Sequence, residues 1–323
     1  MTVTSKTIGK LQLDDLVEGV NGIYSSKDER RSIWDVWMHA NHHAAGIAEE
    51  VRKRDTRELY VQISDFSMWL FTMIRKLQGQ IGIPKPPDES PKERVIRIGR
   101  PFSDMLWQRF PGMCPFCYLR RTAGEKQREG QLGFSDPCDC LPNDATRRSK
   151  NEKGPHALAL RAFSQTIEAR KPTGVDEWQQ MFGAIFAANL PRLGLSEIVL
   201  RLLEEMGEAS DALARMYTYN DETFPAEIPI RQVWLEGKLS DVSSWLFAVV
   251  EKLGSGRNGS IGAHRVLLSQ IIWNRYGSDE LQGFKCWKCR QPSCTCPIIF
   301  VPPDRPVEDM QAALAARKAE TEC

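Results

Sequence analysis

The chain has 323 residues, of which 41% are hydrophobic and 26% charged, and its net charge is +1. This is an ordinary composition for a globular protein, and the length suits two domains with two separate cores. The near-zero charge argues against a broad nucleic-acid footprint. No run approaches the roughly 20 apolar residues that span a bilayer, and the first residues lack the pattern of a signal peptide. The expectation is a cytoplasmic protein with no membrane partner.

Taken in chain order, helical periodicity predicts helices over 29–53, 56–79, 157–170, 177–190, 195–218, 230–253 and 262–276. Strand signals are sparse, so the predicted fold is all-α. Breakers punctuate the series: IGIPKPPDESP after the second helix, Pro191 and Gly194 before the fifth, GSGRNGS after Leu253. Ser196 reads as the cap of the 195–218 helix. The polar stretch 142–155 reads as a linker, and the end of the chain as a weakly amphipathic helical tail.

The series contains a duplication. ISDFSMWLFTMIRKL at 63–77 aligns without gaps with LSDVSSWLFAVVEKL at 239–253, and eight of fifteen positions are identical. MLWQRF at 105–110 then parallels IIWNRY at 271–276, and IAEEVRK at 47–53 is matched upstream with LLEEMGE at 202–208. Four features recur in one order, the fourth being a cysteine cluster.

The first cluster is Cys114, Cys117, Cys138 and Cys140; the second is Cys286, Cys289, Cys294 and Cys296. A C-x-x-C turn sets two thiolates on one side of a metal, and a second close pair completes a tetrahedron. Four sulfur ligands leave no open position, so each cluster reads as a structural Zn²⁺ knuckle, with an iron–sulfur cluster or paired disulfides as the alternatives. Aromatics beside the cysteines, Trp287 among them, could stack bases. Packing against the metal loop is the preferred account, and nucleic acid is not the favoured partner.

Glu204, Glu205 and Glu208 occupy one sector of the 195–218 helix. On the next helix Asp241 is in line with Trp234, Trp245 and Val249, and Asp65 with Val61, Trp69 and Met73. A carboxylate set in an apolar stripe costs several kcal/mol unless paired or metal-bound. A bundle that joins Glu205, Glu208 and Asp241 would bind a hard cation such as Mg²⁺. His42 and His43 read as capping or packing residues, not ligands.

EExxE on one helix, followed by an acid-bearing helix that runs into D-V-x-x-W-L, resembles the MazG-like all-α nucleoside triphosphate pyrophosphatases. LLEEMGEASDAL and LSDVSSWLFAV look like the two central helices of that family, over about 180–253, and residues 30–77 match more loosely. The resemblance implies Mg²⁺-dependent hydrolysis of a nucleotide to its monophosphate and pyrophosphate. It makes Glu205, Glu208 and Asp241 the metal ligands, with Glu204 in support. The first acid of the family's ExxD is Lys238 here. That lysine either takes a catalytic part, neutralising phosphate charge in place of one metal, or pairs with Asp241 in a pseudoenzyme that binds nucleotide or a protein partner. Repeat one keeps Glu49, Glu50 and Asp65 but carries Lys53 and Gln62, and is expected to be inactive.

The implied organisation is a degenerate helical repeat at 1–112, a zinc knuckle at 113–142, a linker at 143–156, a second repeat at 157–280, a second knuckle at 281–300 and a tail at 301–323. The two repeats would form an intramolecular pseudodimer, with further homo-oligomerisation left open.

Overall fold

A computed structural model describes residues 3–78, 100–115, 117–118, 155–217, 228–254 and 265–296. Ten α-helices stand among them: α1 Leu13–Gly22, α2 Ser25–Asp28, α3 Ile33–Lys53, α4 Thr56–Leu77, α5 Phe102–Arg109, α6 Pro155–Thr166, α7 Val175–Ile185, α8 Leu195–Tyr217, α9 Ile228–Gly254 and α10 Leu268–Tyr276. A hairpin of two-residue strands, β1 Gly277–Ser278 and β2 Gly283–Phe284, leads into the second cysteine cluster. The fold is all-α, as the periodicity predicts. No described helix is long and apolar enough to cross a membrane. The tail and most of the linker lie outside the described residues.

Local chemistry fixes several helix ends. Ser32 and Asp35 form a reciprocal capping box at the start of α3, with Asp35 N donating to Ser32 Oγ at 3.0 Å and Ser32 N to Asp35 Oδ2 at 2.9 Å. Arg54, at a left-handed φ of 62°, ends that helix, and Asp55 caps α4 by accepting from Glu58 N at 3.0 Å. α8 begins two residues earlier than a Ser196 cap allows. Gly194 N donates to Glu197 Oε2 at 2.6 Å, so the side chain three residues into the helix closes the turn and Ser196 lies within it.

Helix α1 escaped the periodicity reading. Its LDDLVEGVNG is short, yet it buries Leu13, Leu16, Val17 and Val20 against α4 and α5. Its counterpart by position is α7, and Gln12 and Gly174, just ahead of the two helices, pair in an isolated antiparallel bridge. A Cβ at Gly174 would stand 2.8 Å from Gly9 O, so only glycine permits that approach.

Each half builds the same antiparallel pair, α3 on α4 and α8 on α9, and α3 meets α8. The next helix then crosses over: α5 packs on α9, and α10 packs on α4. The result is one continuous apolar core that includes Phe66, Trp107, Trp178, Phe247 and Trp273. The expected pair of separate cores is therefore not what forms, because each half's short helix covers the other half's central one.

That crossing explains the recurring serines. α4 and α9 are buried on nearly every side in their middle turns. Ser64, Ser67, Ser240 and Ser243 are small enough for close helix contact, and each hydroxyl donates to the carbonyl four residues back, at 2.7–2.8 Å.

Candidate functional site

In the second half, Glu205 on α8 and Asp241 on α9 are buried, and Glu208 reaches the same space from a half-exposed position. Lys238 enters between them. Its buried Nζ lies 3.7 Å from Glu205 Oε2 and 3.8 Å from Asp241 Oδ2, and it donates to Glu208 Oε2. The structure thus brings together Glu205, Glu208, Lys238 and Asp241. Glu204 is outside the cluster: it is half-exposed and pairs with Arg201 on its own helix at 2.6 Å. Glu236 also faces elsewhere, 3.3 Å from Arg100.

Periodicity gave no hint of the fifth member. Arg109, from the end of α5, donates to both oxygens of Asp241, Nε to Oδ1 and Nη2 to Oδ2, each at 2.8 Å. The two-pronged geometry is what a planar guanidinium makes with a carboxylate. Its signal lay in the repeat, since Arg109 and Arg275 recur beside the recurring aspartates. Burial, and next the charge of Asp241, pushes the Glu205 carboxyl up to about 8, against the pull of Lys238. Glu205 Oε2 is buried and has no hydrogen-bond partner among the described residues.

The first half repeats the frame with other chemistry. Arg275 from α10 grips Asp65 at 2.7 Å through Nε and Nη2, and Tyr276 donates its hydroxyl to the same carboxylate. Gln62, in the place of Lys238, is 2.8 Å from His43 Nδ1, and its Oε1 is 2.5 Å from where a Cβ on Gly46 would sit. His43 and Gly46 therefore face α4 as Glu205 and Glu208 face α9. Burial holds His43 below its ordinary pKa of 6.5.

This corrects the upstream alignment. Glu49 and Glu50 are not the counterparts of the second-half pair; Lys53 holds them both, at 2.8 and 3.0 Å. The misreading is a shift of seven residues, about two helical turns, which returns to the same face and so looks equivalent in sequence.

Comparison of the chain with known protein families, curated proteins and solved structures finds no match. The chemistry therefore has to be argued from these residues.

At the second cysteine cluster, Cys286, Cys289, Cys294 and Cys296 place their Sγ atoms within 4.8 Å of one another. Tetrahedral zinc at about 2.3 Å from each sulfur sets sulfurs about 3.8 Å apart, so the donor set fits a metal such as zinc. The backbone N–H of Gln291, aided by that of Thr295, draws the Cys289 thiol down to about 5. Burial pushes Cys296 up, and so do its neighbouring cysteines. Of the first cluster, Cys114 and Cys117 are described and buried; Cys138 and Cys140 lie outside the described residues.

The second cluster is seated on the opposite half. Cys294 N donates to Ile23 O at 2.8 Å, buried Lys27 Nζ to Cys294 Sγ at 2.9 Å, and Tyr24 OH to Cys286 Sγ at 3.5 Å. An ammonium beside a thiolate offsets charge that a four-sulfur metal site would otherwise carry unbalanced.

Proposed function

We propose that the chain is a MazG-like tandem bundle, an intramolecular pseudodimer, that has exchanged its Mg²⁺ site for built-in cations and binds a nucleotide without hydrolysing it. The observation that carries this reading is the position of Lys238 Nζ among Glu205, Glu208 and Asp241. Mg²⁺ needs near-octahedral oxygen ligands at about 2.0–2.1 Å, and an ammonium stands in the space those oxygens would share. Arg109 takes both oxygens of Asp241. Burial keeps Glu205 largely protonated near neutral pH, so the remaining two carboxylates are balanced by two cations. A neutral, internally paired cluster has little to offer a divalent ion.

The reciprocal pairs, Arg109 with Asp241 and Arg275 with Asp65, support the pseudodimer, because each half completes the other's central helix. The second cysteine set supports a structural zinc ion. The repeat extends that reading to Cys114, Cys117, Cys138 and Cys140, so metal analysis should find zinc at both clusters, with one equivalent lost in Cys286→Ser.

Pyrophosphate release from a panel of ribo- and deoxynucleoside triphosphates with Mg²⁺ tests the reading. The expected result is no release above that of Glu205→Ala plus Glu208→Ala. Lys238→Glu, which restores the fourth acid, should gain Mg²⁺ affinity in calorimetry. Release by the unaltered chain that the double variant abolishes would falsify the proposal and restore the pyrophosphohydrolase reading.

A further inference from the structure

A second cleft, of about 560 Å³, opens where the first turns of α4, the end of α10 and the second cysteine cluster meet. We infer that it binds a nucleoside phosphate, with the base on Trp287 and the phosphates between Arg57 and Arg290. The volume is in the range of small-molecule sites. Three arginines (57, 275 and 290) and two aromatics (Tyr60 and Trp287) line it, and no carboxylate does.

The arginines are in different states. Arg275 is committed to Asp65, and its guanidinium lies 4.4 Å over the ring of Trp287, which holds the indole in place. Trp287 is nonetheless 43% exposed, so it has a face to offer. Arg57 and Arg290 are exposed and have no acidic partner among the described residues. Arg57 sits in the first turn of α4. Arg290 has a φ of 61°, a conformation that glycine adopts without penalty and arginine does not. A cationic side chain stands where the loop's backbone geometry alone would favour glycine. Stacking of a base on an aromatic face next to free guanidinium groups is a general mode of nucleotide binding.

The equivalent space in the second half differs. It is a cavity of about 60 Å³, and Glu236 and Asp241 line it beside Arg100, Arg109, Arg161 and Lys238. It is too small for a nucleotide, and its cations face acids. The asymmetry puts the ligand at the cleft beside the second cluster.

The inference rests on the binding reading above but fails separately from it. The test is calorimetry on the full, zinc-loaded chain without added Mg²⁺, using ATP, inorganic triphosphate and a ten-nucleotide single strand as probes. ATP should bind, and Trp287→Ala and Arg57→Glu should each weaken it about tenfold or more, with zinc content unchanged. Arg57 lies on α4, away from the cysteines, so that variant reports on the cleft even where Trp287→Ala disturbs the metal loop. Binding of the strand alone, with the same dependence on Arg57 and Trp287, assigns the nucleotide to a polymer and supports the site. Triphosphate binding as tight as ATP, with no effect of Trp287→Ala, overturns it. So does binding of no probe, or ATP binding that follows Lys238→Ala and ignores Arg57→Glu. Pyrophosphate release would remove only the non-catalytic reading.

Discussion

The two carboxylate clusters share a frame and differ in what fills it. Each has an aspartate on a central helix, gripped by an arginine from the short helix of the opposite half. Around Asp65 the remaining members are Tyr276, which donates to it, and Gln62 and His43, which are hydrogen-bonded to each other. Around Asp241 they are Lys238, Glu205 and Glu208, a set of charges that must balance one another. The arginine–aspartate pair belongs to the architecture, since both halves keep it. The variable positions, one turn away, are where chemistry was available to be gained or lost.

Removing the shared arginines gives the largest expected effect. Arg275→Leu strands a buried carboxylate and should cost about 4 kcal/mol in denaturant unfolding. Arg109→Leu should cost about 1 kcal/mol less, because Asp241 retains the full charge of Lys238 at 3.8 Å while Asp65 keeps the neutral hydroxyl of Tyr276. An equal or reversed order would break the comparison. Next in size is Lys238→Met, expected to cost about 3 kcal/mol because it leaves Glu208 and Asp241, beside the protonated Glu205, with Arg109 as their one cation. Gln62→Met, which loses one neutral hydrogen bond, should cost about 1 kcal/mol. Thermal or urea unfolding of the two variants side by side separates the cases.

The comparison also extends to pH dependence, and here the equivalent residues act in opposite senses. Glu205 has its folded pKa raised from 4.5 to about 8. Its contribution is complete below about pH 4.5 and is lost as pH rises through about 8, because the unfolded chain ionises first. His43 has its folded pKa lowered from 6.5. Its contribution is complete above 6.5 and is lost as pH falls through the depressed value. Glu205→Gln should flatten the decline between about pH 4.5 and 8. His43→Gln should reduce the loss below 6.5, with a residue left by His39, which burial also depresses. A decline on the alkaline side that persists in Glu205→Gln would show that another group sets it.

Much of the fold was legible because its determinants are local. The 3.6-residue period locates six of the longer helices to within a few residues, although it starts α3 at 29 and passes over the Ser32–Asp35 capping pair that sets the true start at Ile33. Helix α1 was missed because ten residues carry too few turns to stand out from a loop-rich beginning. The candidate site was legible in part. Spacing singles out Glu205, Glu208 and Asp241, the family resemblance adds Lys238, and the four do converge. Glu204 was drawn in by adjacency, although a residue about 100° further round the helix faces solvent.

The sequence by itself determined the duplication, the helical class and the pairing of cysteines into two clusters, because identity, period and spacing are properties of short segments. Only the tertiary structure decided what faces each aspartate. Arg109 and Asp241 are 132 positions apart, and Arg275 and Asp65 are 210 apart. No local rule joins such residues. They meet because α5 and α10 cross to the opposite half, and that crossing is set by which apolar faces cover which. The same packing turned Lys238 inward among the acids, where the sequence could only pose the question.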